Sequence, residues 1–305
     1  MTQPFRIAAT GHSLNYLPEY MAAHRGYFEH EGLAVDAVVP SPWDLVLTEL
    51  AAGTSQAALG GIWVPSMYFG RSSRYTPFAQ VANRAPLALV GRGDPASFSL
   101  TDLVGGTVLM KGSNGASVGL YLKMLLAEND IDARDVRFIQ DLDGAMLSEL
   151  FVGGMGDYLL IDYPNASKLA GSHDVAVVRA FAEAGGDIPW SVYYTLREPT
   201  DEQRDLHTRF FRALGRGMAD VLDAPADTYA DLLTSLFPKF DIGLLVALTD
   251  QYRTWGMWTT PEINRAGYDR WQAGIALGGL VSQPLGYDVL IDSVPATRAS
   301  REVTP

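Results

Sequence analysis

Short apolar runs alternate with amphipathic stretches along most of this chain, and that alternation constrains its fold more than any other feature. A continuous apolar run of four to eight residues suits a buried strand, whereas apolar residues spaced three to four apart mark one face of a helix. Phe5–Thr10 reads as a strand, and Leu17, Met21, His24 and Phe28 then fall on one helical face. Ala34–Val39 reads as a second strand, followed by a helix over Leu45–Ala52 that Gly53 stops. Ala57–Gly60 and Ala79–Ala82 read as further strands, closing a first α/β unit near residues 89–92. Such alternation is the signature of βαβ units.

A second α/β unit follows. Thr107–Lys111, Val136–Gln140, Asp157–Asp162 and Ala176–Ala180 read as strands, with helices after Ala116 and over Gly144–Val152. Ile188–Thr195, rich in aromatic and β-branched residues, reads as one more strand. The remainder is helical: His207, Phe210, Phe211, Leu214, Met218 and Val221 make one apolar stripe, and Ile242, Leu245, Val246, Thr249 and Tyr252 another. Thr260-Pro261-Glu262 has the cap, proline and acid of a helix start. Two α/β lobes with a helical tail predict a clamshell with a ligand cleft.

With 305 residues, 48% of them hydrophobic, the chain can build a sizeable core. It has no cysteine, which excludes disulfides, Cys-ligated zinc, iron–sulfur clusters and thiol nucleophiles. A net charge of −12, with lysine only at Lys111, Lys123, Lys168 and Lys239, argues against a nucleic-acid surface. No run approaches the roughly 18 apolar residues of a membrane span. The first twenty residues lack the basic start and apolar stretch of a secretory signal. As written, the expectation is a cytoplasmic protein; a trimmed chain of periplasmic or extracellular origin would read the same.

The string YMAAHRGYFEHEGLAVDAV carries a resemblance. Gly26-Tyr27-Phe28, Glu31-Gly32-Leu33, Leu50 with Gly53, and Gly60-Gly61 fall in the order and spacing of the NMT1/THI5-like family. Stretches around Ala116–Asp132, Leu142–Pro164 and Arg270–Asp292 extend the similarity over nearly the whole chain. This family includes nitrate-, sulfonate-, taurine- and pyrimidine-precursor-binding proteins of ABC importers. The resemblance implies a type 2 periplasmic-binding-protein fold: two lobes, two crossovers, and C-terminal helices packed on the first lobe, with residues 1–92 and 188–305 as one body, 93–187 as the other and the ligand cleft between them. It also implies a small-molecule ligand, an ABC permease as partner and no cofactor. Where the family commonly has aspartate after the L-x-x-G helix, this chain has Gln56.

Loops at strand ends supply the candidate ligand contacts. His12, Asn15 and Tyr16 offer hydrogen bonds and a stacking face after the first strand; equally, Asn15 is a helix-capping residue type. Trp43 follows the second strand, and Gly61 with Trp63 the third; either indole can stack on a planar ligand or pack as core. Arg84 follows the fourth and can pair with an anion, although a lone arginine is more often a surface residue. Lys111 leads into Ser113, Asn114 and Gly115, a glycine-rich loop feeding a helix N-terminus. Free backbone N–H groups there favour an anion, while a serine or asparagine cap needs no ligand. The G-x-x-x-x-G-K order of a nucleotide loop is absent. Asp162 and Tyr163 end a strand of the second unit, with capping as the plain role of Asp162; Trp190 and Tyr193 lie on the return crossing, facing ligand or packing beneath it.

Catalytic patterns are sparse. His12, His24, His30, His173 and His207 show no metal-ligand spacing, and no G-x-S-x-G elbow occurs. His24 and His207 fall on apolar helix faces, which predicts structural roles. The resemblance includes two enzymatic branches. A desulfinase branch needs a cysteine nucleophile, which this chain lacks; THI5 pyrimidine synthases need a lysine, a histidine and a cysteine-rich motif, and here the cysteine motif is missing, while Lys111 and His12 are the only candidates for the other two roles, with no spacing that assigns them. The expectation is a binding protein for a small planar or anionic organic ligand. The alternative is a cytosolic enzyme on the same fold, a THI5-like synthase or a lyase or decarboxylase working through His12, and a ligand sensor is a third reading.

Overall fold

The computed structural model describes residues 2–71, 74–111, 116–140 and 144–302. Its strands in chain order are β1 (Gln3–Ala9), β2 (Leu33–Val38), β3 (Ala57–Gly60), β4 (Tyr75–Ala82), β5 (Leu87–Gly91), β6 (Thr107–Met110), β7 (Arg137–Ile139), β8 (Tyr158–Asp162), β9 (Ala176–Ala180) and β10 (Ser191–Leu196). They form two five-stranded mixed sheets, ordered β2-β1-β3-β10-β4 and β7-β6-β8-β5-β9. In the first, β1 is parallel to β2 and β3, and β10 runs antiparallel to both β3 and β4. In the second, β6 is parallel to β7 and β8, and β5 runs antiparallel to β8 and β9.

Burial explains these sequences. β3, β4 and β5 are buried along their whole lengths, so they read as continuous apolar runs. β2, at a sheet edge, buries only Leu33 fully. Two compact units emerge: Met1–Arg84 with Asp187–Trp271 and Leu285–Pro305, and Ala85–Gly186 with Gln272–Pro284. The chain thus leaves the first unit after Arg84 and re-enters at Asp187. Residues 272–284 belong with the second unit, where Gly278 lets the segment press on Leu120: a Cβ there would lie 2.0 Å from its Cδ2.

The first unit is centred on the long helix Asp201–Asp223. Its start is a capping box, with Gln203 N–H donating to Thr200 Oγ1 at 3.2 Å and Thr200 N–H to Gln203 Oε1 at 2.8 Å. The expected stripe from His207 to Val221 is the face it buries. Phe210 lies between Phe5 and Phe28, stacked at ring-centroid distances of 5.0 and 5.2 Å. Gln56 uses its amide oxygen to accept from Arg6 N–H at 2.7 Å, tying the entry of β3 to β1.

Two local expectations fail. His24 ends the helix Leu17–His24 on its exposed side, because Gly26, at φ +69°, breaks the chain before Phe28 turns inward. Thr260-Pro261-Glu262 starts no helix. Pro261 O and Thr260 O are taken by Gln80 from β4, and the helix begins only at Arg265, capped by Asn264 Oδ1 on Gly267 N–H.

Candidate functional site

Because β1, β2 and β3 are parallel and β10 is antiparallel to β3, five segments reach one edge of the first sheet. They are the loops after β1, β2, β3 and β4 and the entry to β10. This edge therefore collects His12, Asn15, Tyr16, Trp43, Gly61, Trp63, Arg84 and Trp190. Ligands in open α/β sheets favour this carboxyl edge.

The loop after β1 is held from several directions. Asn15 is 2% exposed; its Oδ1 accepts from Ser13 Oγ and its Nδ2 donates to Ser191 Oγ at 3.4 Å. Its carbonyl accepts from the Trp258 indole at 2.9 Å, and Tyr20 Oη accepts from Ser13 N–H at 3.3 Å. Tyr16 is buried with hydrogen bonds to Ser191 and Thr10; burial pushes its phenol pKa up, so it stays a neutral donor. His12 is exposed yet fixed. Its Nε2 lies 3.0 Å from Leu236 O, and its ring packs on Tyr20 and Phe237, each at 4.9 Å. A carbonyl acceptor makes Nε2 the protonated nitrogen.

Trp43 and Trp63 are half-buried, in the segments after β2 and β3. Gly61 is required for the position of Trp63: a Cβ there would lie 2.4 Å from its Cδ1. Gly61→Ala is expected to displace that indole, read as a shift in tryptophan emission with little change in far-ultraviolet circular dichroism. Arg84 is committed to Asp187, Nε to Oδ1 at 2.9 Å, and so joins the two connecting segments. Trp190 stacks on Trp271 at 6.2 Å.

Tyr193 lies elsewhere. It is fully buried in the core and donates from Oη to Glu19 Oε2 at 2.6 Å, so this crossing-strand residue supports the loop from beneath. Burial, first of all, pushes Glu19 up to about 7 and holds the Tyr193 phenol high.

In the second unit, Lys111 directly follows β6 and is half-buried, while Ser113, Asn114 and Gly115 lie outside the described residues. Asp162 caps the helix Tyr163–Ala170, accepting from Asn165 N–H at 3.0 Å and Asn165 Nδ2 at 2.9 Å. Tyr163 is 8% exposed, with its phenol pKa raised by burial. Gln140, not singled out in the sequence, sits 3.2 Å from where a Cβ on Gly119 would be, against the helix that follows β6. Thr10, Ser191, Leu236 and Trp258 also build the first-unit site; only Ser191 has a sequence signal, its place at the start of the crossing strand. Among the described residues no group of histidines and carboxylates could hold a metal, and no helix is long and apolar enough to cross a membrane.

Known proteins resemble this chain in sequence and fold. The Bacillus subtilis (strain 168) protein YtlA, named a putative binding protein, is 26% identical over 97% of this chain and 90% of its own length. The periplasmic aliphatic sulphonate binding protein SsuA of Escherichia coli superposes with a TM-score of 0.73 at 14% identity, covering 95% of this chain and 98% of that one. The desulfurization enzyme DSZB superposes at 0.69, with 14% identity and 98% of both chains covered. The fold is thus the two-lobe α/β architecture of the periplasmic binding proteins, and their names show that it carries both binding and chemistry. Residues 13–228 match the family described as NMT1/THI5 like, and the chain belongs to that family.

Proposed function

We propose that this protein is the solute-binding component of an ABC-type importer, holding a small planar or anionic organic ligand and leaving it unchanged. The observation that carries this reading is the shelf at the carboxyl edge of the first sheet. There Asn15, Tyr16 and Ser191 are cross-bonded into fixed polar groups, with Trp43, Trp63 and Trp190 in the adjoining segments. Preorganised hydrogen-bonding groups with aromatic faces suit tight binding of a flat solute. Arg84 is occupied by Asp187 and His12 Nε2 by Leu236 O, so an anionic group would depend on other donors, with Lys111 and the Ser113–Gly115 stretch as the candidates.

The enzyme alternative has less support. The chain has no cysteine nucleophile. His12 is oriented by a main-chain carbonyl and two rings, whereas an imidazole base is commonly oriented by a carboxylate. The YtlA name favours binding, and the periplasmic sulphonate binding protein SsuA favours a permease as partner and a site of action on the outer side of a membrane.

The test is a tryptophan-fluorescence titration with alkanesulfonates, aromatic carboxylates and aminopyrimidines. One class should quench saturably, and Trp43→Ala or Asn15→Ala should weaken its binding about tenfold, near 1.4 kcal/mol. The ligand should be recovered unchanged after long incubation. Accumulation of a product that His12→Ala abolishes would overturn the binding reading.

A further inference from the structure

A carboxyl group lies sealed directly after the loop that follows β1. Glu19, in the first turn of the helix Leu17–His24, is 3% exposed, and its Oε2 accepts from Tyr193 Oη at 2.6 Å. Among the described residues no cation lies within ion-pair distance of it. An ionised carboxylate can accept about four hydrogen bonds, and sealing one beneath a single phenol with no positive partner is costly. The rings that feel its charge are the ones that hold the loop. Tyr16 is hydrogen-bonded to Ser191 and Thr10, and Tyr20 accepts from Ser13 N–H at 3.3 Å while packing on His12 at 4.9 Å. Burial, and then a negative Glu19, pushes up the phenols of Tyr16, Tyr20 and Tyr193 alike.

The other titratable and charged groups around this helix are engaged elsewhere or lie at the surface. On the long helix Asp201–Asp223, Asp220 accepts from Tyr27 Oη at 2.7 Å and pairs with Arg25, and Arg216 packs 4.1 Å over the Tyr27 ring. His207 of the same helix is stacked on Phe78, whose ring lies 6.4 Å from Tyr193, and burial lowers it to about 4. His24, Glu29 and His30 are exposed, and Glu31 is paired with Arg212. His12, exposed, touches the cluster through Tyr20. None of these supplies the carboxylate with a partner.

We propose that Glu19 is a proton-operated latch on the loop after β1: the neutral carboxyl keeps the loop packed on Tyr193, Tyr16 and Tyr20, and the ionised one draws in water and frees it. The packed form holds the proton more tightly than the freed form, because only the packed form seals the carboxyl from solvent. Linkage then favours the packed form at low pH and loses it as pH rises through the value near 7 to which burial lifts Glu19. The functional consequence rests on the binding reading above. Since this loop carries His12, Asn15 and Tyr16, ligand would be held below neutral pH and released above it.

The test needs no ligand. Trp258 is 1% exposed and its indole N–H donates to Asn15 O at 2.9 Å, so its resonance in nitrogen–proton correlation spectra of the full chain reports on the loop. Between about pH 5.5 and about pH 8.5 that resonance should move in one step with a midpoint near 7. In Glu19→Gln it should stay at its low-pH position throughout. Tyr193→Phe removes the hydrogen bond that favours the charged carboxylate, so its midpoint should lie higher than in the wild type. His12→Gln, which removes the one imidazole that packs on Tyr20, should keep the step. A resonance that does not move, a step kept in Glu19→Gln, an unmoved midpoint in Tyr193→Phe or a step lost in His12→Gln would each overturn the latch. Such a failure leaves the ligand titrations above untouched, and a failure of those titrations leaves this pH step untouched.

Discussion

Glu19→Gln should leave the protein about 3 kcal/mol more stable relative to wild type at pH 8 than at pH 4.5. Glu19 is 3% exposed, and burial, offset in part by the Tyr193 hydrogen bond, raises its carboxyl from 4.5 to about 7. As pH climbs from 4.5 toward 7, the unfolded chain releases this proton first. The folded state retains it, so stability falls across that window and levels off above it. A gap of about 2.5 pKa steps at about 1.4 kcal/mol each gives the 3 kcal/mol. The amide keeps an oxygen for Tyr193 Oη but cannot ionise. The groups that bear on the carboxyl are the Tyr193, Tyr16 and Tyr20 phenols, none of which supplies a compensating positive charge.

His207 works in the opposite direction. Burial lowers it from 6.5 to about 4, so the unfolded chain takes up a proton first as pH falls, and stability is lost from 6.5 down to 4. It lies in the same region of the core, stacked at 4.2 Å on Phe78, which itself lies 6.4 Å from the Tyr193 ring. Between pH 4.5 and 6.5 the two slopes nearly cancel in the wild type. Glu19→Gln should unmask the His207 slope, giving a protein whose urea midpoint rises steadily with pH over that interval. A wild-type-minus-variant difference that does not change with pH would sink this account.

The elements were legible where one physical cause dominated. Fully buried strands such as β4 and β5 announce themselves as apolar runs, and the helix Asp201–Asp223 by its single buried face. Failures came where long-range partners overrode local signals. Thr260-Pro261-Glu262 has a helix start's chemistry, yet Gln80 claims the carbonyls of Thr260 and Pro261, and the helix waits until Arg265. At the candidate site, topology alone brings the strand-end loops to one edge, so His12, Asn15, Trp43 and Trp63 could be named from sequence. What holds them could not: the indole that fixes Asn15 comes from Trp258, 243 residues away. Alternation along β10 puts Ser191 and Tyr193 on one face but cannot show that Glu19 lies under the second of them. Asp162 serves as a helix cap, the role its place before Tyr163-Pro164 allowed from the start.

Gly217→Val should cost about 3 kcal/mol or more, and Gly217→Ala should also destabilise despite alanine's better helix propensity. In the interior of a helix, glycine to alanine ordinarily gains up to about 1 kcal/mol. Here the helix Asp201–Asp223 crosses Leu17–His24 so closely that a Cβ at Gly217 would lie 2.4 Å from Pro18 O and 2.7 Å from Ala22 N. Both are backbone atoms of a helix and cannot rotate aside, so the two helices must separate, and overpacking wins over propensity. The helix that would move begins directly after His12, Asn15 and Tyr16, so ligand affinity should drop with it. Phe210→Ala is the control. It removes the ring stacked between Phe5 and Phe28 and should cost about 3–5 kcal/mol, yet it leaves the Gly217–Pro18 contact in place. Urea midpoints and fluorescence titrations on both variants separate the effects: Gly217→Ala should lose more affinity per kcal/mol of stability than Phe210→Ala. A Gly217→Ala protein as stable as wild type would mean that the two helices do not approach as described.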